Sequence, residues 1–185
     1  MCLGLVVLVT ACGQGPPPAA YTFLQHAREA SIAREKSAFT ARYLEFGNGA
    51  VLQLIYSQKP PTAQETTSNL RGPAKTVWTT AGKKTTTCFI GFPKGNQCMD
   101  TTHTVQPATL AVESPRFAVQ EIDFLETVVL AGTGYVETSR VIDGIPSRCF
   151  DGQATANTPM CVSQNGILTQ WAIETLVSYS PGSAL

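Results

Sequence analysis

From Phe39 onward the chain is cut into short strand-like runs by turn signals, and this punctuation limits the fold more than any other feature. Phe39, Ala41 and Tyr43 alternate with Thr40 and Arg42, the period of a half-buried strand. "GNGA" at 47–50 reads as a hairpin turn, and a second run, Val51 to Tyr56, stops at Pro60-Pro61. Further runs cover Ala63 to Ser68, Thr76 to Thr80 and Lys83 to Phe89, with Ala81-Gly82 dividing the last two. A second series runs Tyr135 to Ile142, Ile145 to Phe150, Pro159 to Ser163, Ile167 to Ala172 and Leu176 to Tyr179. Asp143-Gly144 and Asn165-Gly166 mark turns within it. Strands joined by tight turns are antiparallel.

Two segments break this texture. Residues 19–36 hold no Gly or Pro and place Ala20, Phe23, Leu24, Ala27 and Ala30 at helical spacing. "ESPRFAVQEIDFLETVVLAG" carries a complete set of helix signals: Ser114 to cap it, Pro115 for the first turn, Gly132 to end it. Ala118, Ile122, Leu125 and Val129 line one face, widened by Phe117, Phe124 and Val128. Two helices cannot cover both faces of so many strands. The expected fold is α+β, a curved antiparallel sheet with its helices gathered on one face.

The chain opens on an apolar run, Leu3 to Val9, far shorter than the ~20 residues of a membrane span but long enough for the core of an export signal. It ends in Val9-Thr10-Ala11-Cys12, which resembles the bacterial lipobox. That resemblance implies cleavage before Cys12 and lipidation of its thiol and new amino terminus. Met1 to Gly4 lacks the Lys or Arg that usually opens a signal. Residues 1–11 are read as the signal, 12–20 with Pro16-Pro17-Pro18 as a tether, and 21–185 as one domain. The expected location is the outer face of the cell membrane.

Export puts the mature chain where disulfides form. Setting Cys2 and Cys12 aside leaves Cys88, Cys98, Cys149 and Cys161, which allow three pairings. Pairing in sequence, Cys88–Cys98 and Cys149–Cys161, is the simplest, and each bridge closes one short loop. A four-thiolate zinc site is the rival, against which stands the wide spacing inside each pair.

The lipobox Cys12, "SAFTARYLEF", "GAVLQLIYSQKPP", "TTTC…QC" and "GIPSRCF…MCVSQNGILTQWAIETLVSYS" together resemble the half-barrel lipid-carrier lipoproteins. These are the LolA and LolB type of lipoprotein-localisation factors and the mycobacterial LppX and LprG type of glycolipid-binding lipoproteins. The chain is also similar to actinobacterial lipoproteins built the same way. The likeness rests on order and spacing over nearly all the mature chain. It implies a strongly curved antiparallel sheet, a half-barrel, with helices on its concave side. The space between them would hold a lipid or another hydrophobic ligand. Residues suited to line it are Phe39, Tyr43, Leu52 and Leu54 on the early strands and Phe117, Phe124, Leu125 and Val128 on the second helix. The alternative is that they fill a core, and that the domain is an envelope sensor or protein-interaction module.

Other chemistry finds little support. Lys+Arg and Asp+Glu balance at 13 each, so charge gives no reason to expect nucleic acid. There is no Gly-x-Ser-x-Gly elbow, His-Glu-x-x-His motif or phosphate loop. His26, His103 and the Asp123/Glu126 pair read as solvated surface groups, and Trp78 and Trp171 as packing residues. The expectation is a ligand-binding protein that is not an enzyme and uses no metal or cofactor.

Overall fold

The computed structural model describes residues 18–47, 49–82, 84–101 and 114–183. The first helix, α1, spans Ala19–Arg34 and the second, α2, spans Pro115–Ala131. Between them run β1 (Phe39–Gly47), β2 (Ala50–Lys59), β3 (Thr62–Asn69), β4 (Lys75–Ala81), β5 (Lys84–Ile90) and β6 (Gln97–Thr101). After α2 come β7 (Val136–Ile142), β8 (Ile145–Asp151), β9 (Met160–Ser163), β10 (Leu168–Trp171) and β11 (Glu174–Pro181). These eleven strands, all antiparallel among the described residues, make one open sheet in the order β6-β5-β4-β3-β2-β1-β11-β10-β9-β8-β7. The fold is thus α+β, as expected, and two hairpin meanders are joined by the pairing of β1 with β11.

The local signals act where they stand. Ser114 accepts a hydrogen bond from the Phe117 amide (3.2 Å), Pro115 opens α2, and Gly132 ends it at φ +71°. Both disulfides form across directly opposed strand positions, Cys88 facing Cys98 on β5–β6 and Cys149 facing Cys161 on β8–β9. One expectation is corrected here. The strands read from the sequence end at Phe89 in this half, whereas Gln97 to Thr101 form a further strand, β6. The Cys98 bridge holds that polar segment in register. Asp100 adds contacts to β5, accepting from Thr86 (2.7 Å) and pairing with Lys84 (2.7 Å).

Register shows which residues share a face, since opposed residues in antiparallel strands point the same way. Phe150 opposes Met160, Met160 opposes Trp171, Trp171 opposes Glu174, and Glu174 opposes Glu45. Alternation along β1 adds Tyr43, Ala41 and Phe39, whose β2 partners are Leu54, Tyr56 and Gln58. Beyond them lie Glu65 opposite Tyr56, and Trp78 opposite Glu65. Both helices pack on this face. Leu24 and Ala27 of α1, with Ile122, Leu125 and Val129 of α2, form one core with Phe150, Met160, Val162 and Leu168. The helices run antiparallel. Ser31 donates to the Pro115 carbonyl (3.0 Å), Arg28 pairs with Asp123, and Glu35 with Arg116 (3.6 Å).

A second core joins Phe39, Ala41, Tyr43, Leu54, Tyr56, Ile167 and Leu176. Ile142 and Ile145, at the tip of the β7–β8 hairpin, pack against it, and β7 touches β11. Strands β9 and β10 have only four residues each, so the longer strands on either side meet past them.

Candidate functional site

The residues expected to line a ligand space are divided between the two cores. Phe39 is fully buried with its ring 5.6 Å from the rings of Tyr56 and Tyr179. Tyr43 is buried and donates its hydroxyl to the Leu168 carbonyl (3.0 Å), tying β1 to β10. Leu54 belongs to the same core, and Leu52 packs half-buried at its margin. On α2, Leu125 is fully buried in the first core and Val128 is buried nearby. Phe117 meets Trp171 edge to face at 5.3 Å. Phe124 departs from expectation. It lies on the outer side of α2, 43% exposed, and lines neither of the two hollows described below. At 100° per residue it falls two positions past Ile122, on the solvent side of the stripe that Ala118, Ile122, Leu125 and Val129 define.

Two hollows lie beside these cores. A cavity of about 330 Å³ sits where the end of α1 and the start of α2 reach the sheet. Its sheet side is Tyr56, Gln58, Ala63 and Thr80, and its rim is Pro60, Pro61, Glu35 and Arg116. Gln58 is built into this wall. Its amide donates to the carbonyls of Arg34, Glu35 and Ser37 at 3.0, 2.9 and 3.0 Å, and its oxygen accepts from the Tyr56 hydroxyl (3.0 Å). These bonds fasten the sheet to the end of α1 and the turn that follows it. A second hollow of about 370 Å³ lies between Phe23 of α1 and the β7–β8 hairpin. Arg148 forms part of it, stacked over Phe23 at 4.7 Å and bonded to Glu137 at 2.9 Å.

No family model matches this chain, and no curated protein matches it. Its chemistry therefore rests on its own groups.

Three of those groups, all in or against the second core, were not singled out by the sequence. Glu65 has no exposed surface; Thr67 donates to one of its oxygens (3.2 Å) and the other is unpartnered. Burial raises its carboxyl to about 7, an effect the Thr67 bond partly offsets. Glu174 is 7% exposed, also has one unpartnered buried oxygen, and is likewise raised to about 7. Burial is the main cause there, followed by the charges of Glu45 and Glu65. Arg34, from the end of α1, lies over the rings of Phe39 (5.0 Å) and Tyr179 (5.8 Å), and burial lowers its pKa. Its Nε and one terminal nitrogen are buried without a partner. Among the described residues no three carboxylates, imidazoles or thiols converge closely enough to hold a metal ion.

The signal in the sequence was alternation. Glu65 occupies the same strand phase as Ala63 and Thr67, so it points inward if β3 has an inner face. Cys12, the expected lipidation site, lies outside the described residues. Among the described residues no helix is long and apolar enough to cross a membrane.

Proposed function

We propose that this chain is an exported, lipid-anchored half-barrel of the LolA/LppX kind that binds a lipid or similar amphiphile beside its helix ends. The cavity between β2–β4 and the junction of α1 with α2 carries this reading. It opens on the helix-covered face of an open antiparallel sheet. Its volume of about 330 Å³ meets the lower end of ligand clefts, ~300–1,000 Å³. Tyr56 and Ala63 offer apolar wall, Gln58 and Thr80 polar wall, and the Glu35–Arg116 pair a charged rim, a mix that suits an amphiphile. The site is displaced from Phe39, Tyr43 and Leu54, which fill a core instead.

Native mass spectrometry of protein purified from its own host membranes tests this directly. Co-purified lipid is expected, and Ala63→Trp, which places an indole in the cavity, is expected to abolish it. Absence of lipid, together with equal uptake of a fluorescent fatty acid by wild type and Ala63→Trp, rejects the reading. The anchor is tested separately: Cys12→Ser is expected to leave the precursor uncleaved or free the protein from membranes.

A second reading, a protein-binding envelope module without ligand, is favoured by the filled cores and by edge strand β7. Val136 and Val141 stand 64% and 71% exposed there, and among the described residues no strand pairs with the outer edge of β7.

A further inference from the structure

Glu65 and Glu174 are buried on one face of the sheet without a counter-charge among the described residues, and each sits directly opposite one of the chain's two tryptophans. Glu65 on β3 faces Trp78 on β4, and Glu174 on β11 faces Trp171 on β10. Strands β2 and β1 lie between β3 and β11 in the sheet, yet Glu174 senses the charge of Glu65.

Among the described residues, the groups around the pair offer no compensating cation. Glu45 on β1 opposes Glu174 directly and adds a like charge. Thr67 supplies Glu65 with a single neutral hydrogen bond. Tyr56 opposes Glu65 from β2. From α2, burial raises the Glu121 carboxyl and the Trp171 indole partly offsets it. From α1, the Arg34 guanidinium is engaged over Phe39 and Tyr179 and forms no ion pair with either glutamate.

We propose that Glu65 and Glu174 form a proton-controlled latch, closed while both carboxyls are neutral and loosened when they ionise and their charges must reach water. The argument follows from burial. A neutral carboxyl tolerates an apolar site, whereas an unpaired carboxylate there is expensive. Relief comes by opening the helix-covered face to water at either carboxyl. The cavity follows that motion, because Tyr56 opposes Glu65 and Ala63 lies two residues along the same strand face. Control of ligand uptake rests on the function proposed above; the latch itself does not. Raising a carboxyl from 4.5 to about 7 favours the loosened form up to roughly 300-fold per group once the pH passes the higher value.

The two tryptophans make the test. Trp78→Phe and Trp171→Phe leave one reporter each, and emission is followed from about pH 4 to about pH 9. Each reporter is expected to titrate in the neutral range, well above an ordinary carboxyl. Glu65→Gln should remove the transition from Trp78, and Glu174→Gln from Trp171. Glu65→Gln should also lower the midpoint of Glu174, because it removes a like charge. Uptake of a fluorescent fatty acid should change over the same range in wild type and become pH-independent in the double glutamine variant. Flat emission through neutrality, or transitions that survive both glutamine substitutions, overturns the latch. Tryptophan transitions with no uptake at any pH uphold the latch and overturn the ligand reading.

Discussion

Two neighbours on α2, Phe124 and Leu125, carry a prediction that inverts the order expected from their size. Leu125 is fully buried among Ile122, Val129 and Phe150, while Phe124 is 43% exposed. Leu125→Ala removes three buried carbons and leaves a hole in a helix–sheet core, so a cost of ~3–4 kcal/mol is expected. Phe124→Ala removes a ring that is only partly covered. If the ring loses about 100 Å² of contact at ~25 cal/mol per Å², the transfer cost is at most ~2.5 kcal/mol. A partly compact unfolded chain reduces that figure, and the better helix propensity of Ala returns ~0.5 kcal/mol. The net cost expected is ~1 kcal/mol. Equilibrium denaturation in urea with the disulfides intact measures both, and the slopes should match wild type so that midpoints report stability. A Phe124→Ala cost equal to or above that of Leu125→Ala would refute the placement of the α2 stripe, and with it the face on which the helices sit.

Gly166→Ala should destabilise by at least ~2 kcal/mol, read from the same melts, because position 166 combines a left-handed backbone with close packing. Its φ is +69°, and an added Cβ would stand 2.3 Å from the Ala27 carbonyl oxygen and 2.5 Å from the Ser31 nitrogen of α1. Stability should also depend on pH through Glu65 and Glu174. Their folded values, near 7, exceed the ordinary 4.5, so the folded form keeps its protons to higher pH than the unfolded form. The contribution is therefore full below about 4.5 and is lost as pH rises through about 7, up to ~3 kcal/mol per carboxyl. The Glu65→Gln, Glu174→Gln double variant should flatten that slope; an unchanged slope refutes the assignment. Reductant should open Cys88–Cys98 before Cys149–Cys161, as followed by alkylation and peptide mapping. The first bridge is partly exposed, whereas both sulfurs of the second belong to residues with no exposed surface.

The sequence by itself determined what neighbours along the chain decide. Cap, first-turn proline and terminal glycine bound α2 because each acts on backbone groups within four residues. Asp143-Gly144 and Asn165-Gly166 place hairpins because the turn sets the pairing of its own flanks. The disulfides joined partners 10 and 12 residues apart for the same reason. Where local and cross-strand forces disagreed, at Asp100 and Thr101, a polar segment became strand because the Cys98 bridge and Lys84 hold it.

Tertiary structure decided the rest. The pairing of β1 with β11 unites residues about 140 apart, and no local signal in either strand names its partner. Which side of α2 faces the sheet was nearly legible, but a stripe as wide as Phe117 to Val129 leaves its margins undecided, and Phe124 fell outside. Phe39, Tyr43 and Leu54 are apolar in either case. Whether they line a space or fill one depends on how closely two halves of a sheet approach, which hydrophobicity does not encode. Glu65 and Glu174 are ordinary polar positions in the sequence. Only the register of β3 and β11 turns both inward, and only the absence of a facing cation makes their protons matter.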